Sequence, residues 1–103
     1  MKINLDFVNK GKPFEVSNWT VEKHEKALAL CVKETENLSK NQQDQEFRYY
    51  VIYIGLKEID DNCEFEKVHN LHPENVIELF NTIYGAGKVD IFFRPKKSMK
   101  KKN

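Results

Sequence analysis

Cysteine is scarce in this 103-residue chain, with only Cys31 and Cys63 present. Neither belongs to a CxxC pair, the tight spacing that structural zinc usually requires. The opening stretch "MKINLDFV" is too short and too polar for a secretory core, so a reduced, cytosolic protein is expected. No apolar run approaches the ~18 residues that span a bilayer, so no membrane partner is expected. Internal repeats are absent. Charge of either sign is also not in excess, with 17 basic and 16 acidic residues and a formal net charge of +1. A chain of this length forms one modestly stable domain with little spare length for a deep active site.

That near-neutrality hides an asymmetry. The last ten residues, "RPKKSMKKKN", hold six basic residues and no acid, whereas residues 1–93 hold 11 basic and 16 acidic ones. An acidic body does not offer the continuous basic face of a nucleic-acid-binding domain. Any phosphate binding therefore falls to the tail alone, through Arg94, Lys96, Lys97, Lys100, Lys101 and Lys102. A globular domain over 1–93 with a flexible basic tail over 94–103 follows, and the tail cannot bury apolar surface. Phe92 and Phe93 adjoin it, but "VDIFF" reads better as an element docking on the core than as a stacking platform for bases.

Catalytic patterns are missing as well. His69 and His72 lie three apart, with Cys63 six residues before His69, yet the set reads as a surface loop with His72 as a helix cap. His24 and Cys31, seven apart on one helical face, are separated by about 10 Å of helix rise, too far for a nucleophilic pair. "GAGK" follows a helix, not a strand, and lacks the phosphate-loop spacing and trailing Ser or Thr. Catalytic, cofactor and metal-binding residues are expected to be absent, and the protein is expected not to be an enzyme.

What is present is periodicity. "KINLDFV" alternates Ile3, Leu5 and Phe7 against Lys2, Asn4 and Asp6, the signature of a half-buried strand. "NKGKP" supplies turn chemistry and "FEV" resumes, so the pattern predicts a short N-terminal β-hairpin. A first helix is predicted from the Thr20 N-cap to about Leu38, with Val21, His24, Leu28, Cys31, Val32 and Leu38 on its core stripe. The segment from Phe47 to Leu56 is apolar nearly all round. Its β-branched and aromatic content suits a strand, but "QQDQE" before it and "LKEI" continuing it favour a helix from about Gln43 to Asp60. "DNCEFEKVHN" reads as a loop. A third helix opens at Pro73, carries Val76, Ile77, Phe80, Ile83 and Tyr84 inward, and stops at Gly85 or Gly87. "KVDIFF" can form a last short strand. The expected class is α+β, mainly helical: a short hairpin packed on about three helices, with a disordered basic tail.

The order of these pieces resembles the tail assembly chaperones of tailed bacteriophages. The resemblance is carried by "GKPFEVSNWTVEKHEKAL", "EFRYYVIYIGLKEID" and "NLHPENVIELFNTIYGAG", followed by an aromatic and basic end. It spans residues 3–97 through diffuse apolar patterns, with no invariant catalytic residue to compare. It implies a non-enzymatic protein of the host cell cytoplasm. Such a protein binds the long, apolar, helical tape measure protein and keeps it soluble until tail tube subunits polymerise around it. Tail tube protein and a second copy of the chain are further partners on this reading. The family often makes a second, longer form by ribosomal frameshifting, and "KKSMKKKN" must be written in A-rich sequence, in which an unbroken run of A would let a ribosome slip backward. A helix chaperone needs surplus apolar surface, sought here at Tyr49, Tyr53 and Leu56 on the second helix and at Leu79 on the third. The competing reading is that these four fill the core. A second function, nucleic-acid binding through the tail, remains the alternative.

Overall fold

The computed structural model describes residues 2–85. Their regular elements are a 3₁₀ turn at Asn9–Gly11 and four helices: α1 (Val21–Glu34), α2 (Lys40–Ile59), α3 (Phe65–His69) and α4 (Pro73–Tyr84). The long α2 is the axle of the domain, and α1, α3 and α4 each pack against it. "KVDIFF" and the basic tail lie outside the described residues.

The predicted β-hairpin does not form. Among the described residues there is no strand, and the described fold is helical, not α+β. Ile3 and Phe14 do exchange two backbone hydrogen bonds, at 2.7 and 2.9 Å, but this antiparallel bridge is isolated. The ladder stops because the chain between them is wound up. Asn9, Lys10 and Gly11 take φ of 55°, 56° and 79°, all in the left-handed region. Asn and Gly adopt it readily, whereas Lys10 costs about 1–2 kcal/mol there. A tertiary contact holds the turn: the Asn9 N–H donates to the Asp60 carboxylate at 3.0 Å. The alternation still sorted the side chains, since Ile3 is buried, Leu5 and Phe7 are half-buried, and Lys2, Asn4 and Asp6 are exposed.

Helix boundaries follow local chemistry. Thr20 caps α1 by accepting the Lys23 N–H at 3.2 Å. A reciprocal capping box opens α2, in which the Ser39 hydroxyl accepts the Gln42 N–H and the Gln42 side chain accepts the Ser39 N–H. The helix therefore begins at Lys40, three residues before the predicted start. Pro73 opens α4, the His72 ring nitrogen accepts the Glu74 N–H, and the Gly85 N–H closes the helix on Asn81. The predicted loop over "DNCEFEKVHN" contains the short helix α3.

The core contains Val51, Ile52 and Leu56 of α2, Val68 of α3, and Val76, Leu79 and Ile83 of α4. Packing corrects two predicted stripes. On α1 the seam against α2 is made of small residues, Ala27 and Cys31, continued by the buried Thr35. The larger Val21, Leu28, Val32 and Leu38 stay outside, at 75, 48, 52 and 40 % exposure. On α4 Leu79 joins the core, whereas Ile77 is half-exposed. The N-terminal segment is tied to α2 by Lys23, whose ammonium reaches the Asn18 carbonyl at 2.7 Å, the Ser17 hydroxyl at 2.8 Å and the Glu58 carboxylate at 2.9 Å.

Two carboxylates in these ties are more acidic than usual. The Ser17 hydroxyl and then the Lys23 ammonium hold Glu58 below its ordinary value. The Asn62 and Asn9 N–H groups do the same for Asp60. A depressed folded-state value adds stability above the unfolded pKa, and that stability is lost as pH falls through the folded value. Urea midpoints should therefore drop below about pH 4, the ordinary carboxylate range. In Glu58→Gln part of that acid-dependent drop should disappear while the midpoint at neutral pH falls modestly. An unchanged acid limb in the variant would mean that Glu58 has no share in it.

Candidate partner-binding face

The exposed apolar side chains of α1 are not scattered. Val21, Leu28 and Val32 recur at spacings of seven and four, which places them in one row along the helix. Leu28 and Val32 edge a groove of about 320 Å3 between α1 and α2, with His24, Cys31 and Phe47 also lining it and Lys40, Gln43 and Asp44 at its polar end. The groove continues into an aromatic cluster. His24 meets Phe47 at 5.4 Å and Tyr84 at 5.9 Å between ring centroids, and Tyr84 stacks on Phe80 at 5.1 Å. Trp19 lies 6.0 Å from Tyr84. Three helices thus present one half-buried apolar surface, which small residues on the buried side of α1 make possible. Because Ala27 and Cys31 bring α1 close to α2, the bulk of Leu28 and Val32 is left facing out.

The sequence-predicted site residues lie elsewhere. Leu56 is fully buried and Leu79 is 6 % exposed, so both pack inside the domain. Tyr49 and Tyr53 are half-buried against α3. Tyr49 lies 4.4 Å from the His69 ring, Tyr53 meets Phe65 edge-on at 5.6 Å, and Lys57 sits over the Tyr53 ring. Arg94, Lys96, Lys97, Lys100, Lys101 and Lys102 lie outside the described residues. The exposed row on α1 was read from sequence as core, because periodicity reports a stripe without reporting which way the helix is turned.

The arrangement offers little for chemistry among the described residues. His69 bonds the Glu46 carboxylate at 3.0 Å and His72 is occupied as a cap. No group of three His, Cys, Asp or Glu side chains converges on a metal-sized site among the described residues. Cys31 is buried, with its sulfur near the Thr35 hydroxyl and the Gln43 carbonyl, and burial pushes its thiol up. Burial also pushes Cys63 up to about 11. Thiolate is the reactive form, so neither cysteine is activated in the folded chain. At pH 8 both should react with a disulfide reagent only as fast as the protein opens, and both at once in denaturant. Rapid labelling of either in the native protein would contradict this burial.

No helix among the described residues is long and apolar enough to cross a membrane. The chain matches no family model, no curated protein and no solved structure.

Proposed function

We propose that this protein is a non-enzymatic chaperone for a long apolar helix, acting as a phage tail assembly chaperone on the tape measure protein. The observation that supports the reading best is the exposed row of Val21, Leu28 and Val32 on α1, with Ile77 of α4 at 50 % exposure. An amphipathic or apolar helix laid into the α1–α2 groove meets apolar side chains at its edge and an aromatic floor at Phe47 and His24. Groove recognition of this kind reads apolar character more than sequence, which suits a coat along a long, variable client. Tail tube protein and a second copy of the chain are further partners on the same reading, and the host cytoplasm is where the client is made. The test is titration with a labelled apolar helical peptide taken from the tape measure sequence. Burial of aliphatic side chains predicts binding that survives raising salt from about 50 to about 200 mM, whereas tail-driven phosphate binding falls by orders of magnitude over that range. No binding of the peptide at either salt would defeat the proposal. Salt-sensitive binding to nucleic acid in its place would establish the alternative function through the basic tail.

A further inference from the structure

A second cavity shares no lining residue with the α1–α2 groove. About 260 Å3 in volume, it is lined by Leu30 and Glu34 of α1, Tyr50 and Tyr53 of α2, and Phe65 of α3. Pockets for drug-sized ligands run to roughly 300–1,000 Å3, so this one suits a single side chain. Leu30 and Glu34 share one flank of α1, well round the helix from Leu28 and Val32. Three aromatic rings border the space. Tyr50 stacks on Phe65 at 4.5 Å between centroids, and Tyr53 meets Phe65 edge-on at 5.6 Å. Aromatic faces attract cations, and Tyr53 already holds one: the Lys57 ammonium lies 5.6 Å from its ring centroid. That ammonium donates to the Asp61 carbonyl at 2.9 Å and does not line the cavity.

The charge at this cavity is negative. Glu34 is the exposed last residue of α1, where the helix has its negative pole. Among the described residues no cation pairs with its carboxylate, although Lys33 is its neighbour in the chain. Burial pushes the Tyr50 phenol up, and nearby charges, those of Glu34 and Glu46 among them, push it the same way. We infer that the cavity receives the guanidinium of an arginine carried by a partner protein. A guanidinium is planar and weakly hydrated, so it can lie on a tyrosine face while donating to Glu34 and to the last carbonyls of α1. Leu30 meets the aliphatic stem. A lysine ammonium is compact and strongly hydrated, and it gains less from the same surfaces. An anion would face Glu34, and an apolar side chain would leave that carboxylate without a partner. The inference does not rest on the proposed function, because the groove and this cavity are separate.

The test is an NMR titration of the full chain with N-acetyl-arginine methylamide, beside its neutral citrulline and its lysine counterparts. The arginine probe should shift the ring resonances of Tyr50, Tyr53 and Phe65, and its own δ-methylene protons should move upfield. The methyl groups of Leu28 and Val32 should stay in place. The citrulline probe should bind at least about fivefold more weakly, and the lysine probe should also bind more weakly. Glu34→Gln, at an exposed position, should keep the fold and weaken arginine binding by about two- to fivefold, the range of an exposed ion pair. Tyr53→Leu should weaken it as well, at some cost in stability. Four outcomes overturn the inference: no shift at the three rings, citrulline binding as well as arginine, lysine binding as tightly or more so, or an unchanged affinity in Glu34→Gln. The ring shifts are read without the apolar helical peptide, so this inference and the chaperone reading fail separately.

Discussion

Replacing Gly55 by Val should cost the domain a large share of its stability, about 3 kcal/mol. Gly55 lies in the apolar stretch of α2 and is buried where α4 crosses it. A Cβ at this position would come 2.7 Å from Ile83 Cγ2 and 3.3 Å from Cδ1, closer than carbon atoms pack. Ile83 is 1 % exposed and β-branched on a helix, where one χ1 rotamer dominates, so it cannot swing aside. Alanine would gain up to about 1 kcal/mol of helix propensity, but its Cβ alone already forces Ile83 or the helices to shift. Valine adds two methyl groups to the same contact. Overpacking of this kind costs about 1–3 kcal/mol and occasionally more, against a total of about 5–15 kcal/mol for a domain of this size. Chemical denaturation should show a drop of about 3 kcal/mol for Gly55→Val. The paired change Gly55→Val/Ile83→Ala should be at least ~1 kcal/mol better than the sum of its parts. Additive costs would mean that α2 and α4 do not meet at this pair.

Leu28→Lys/Val32→Lys should do the reverse, sparing the fold and abolishing client capture. Both side chains are about half exposed, and Lys is a good helix former, favoured near the C-terminus where Val32 sits. Surface changes of this kind stay within about 0.5 kcal/mol each, so the melting temperature should move by only a few degrees. Each of these half-exposed side chains gains about half the full burial value under a bound helix, about 0.8–1.5 kcal/mol. Losing both, and placing lysines in their stead, should weaken peptide binding by about ten- to a hundredfold, at 1.4 kcal/mol per factor of ten. Charge at Tyr49 or Tyr53 should act differently. Those rings pack on His69 and Phe65, so their replacement should lower stability as well as any binding. If the α1 variant bound the helix normally and a Tyr53 variant did not, the site would move to the α2–α3 side.

The helices were legible where punctuation was strong. Thr20 and Pro73 marked starts that the structure bears out, Gly85 is the one of the two candidate glycines that ends α4, and the apolar stretch at 47–56 is helical, whereas α1 stops at Glu34, four residues short of the expected Leu38. The N-terminal hairpin was misread because alternation reports which side chains turn inward and not whether a partner strand runs alongside. The left-handed backbone at Asn9 and Lys10 is held by Asp60, 51 residues away, and no local pattern announces such a contact. Orientation was the deeper difficulty. On α1 the apolar row and the small-residue seam of Ala27 and Cys31 lie side by side, and hydrophobicity alone assigns the core to the larger residues. The seam went the other way because α1 approaches α2 closely only on its small face. On α2, apolar all round from Phe47 to Leu56, no period existed to separate the buried Leu56 from the half-buried Tyr53.

The central claim is that this chain keeps an apolar helix in solution through its own apolar face. The most direct measurement is the sedimentation of purified tape measure protein diluted from denaturant, with and without the full-length chain, at about 50 and about 200 mM salt. The account predicts that the tape measure protein stays in the supernatant with the wild-type chain at both salt levels and pellets with Leu28→Lys/Val32→Lys. A tape measure protein that pellets equally with and without the wild-type chain would contradict it.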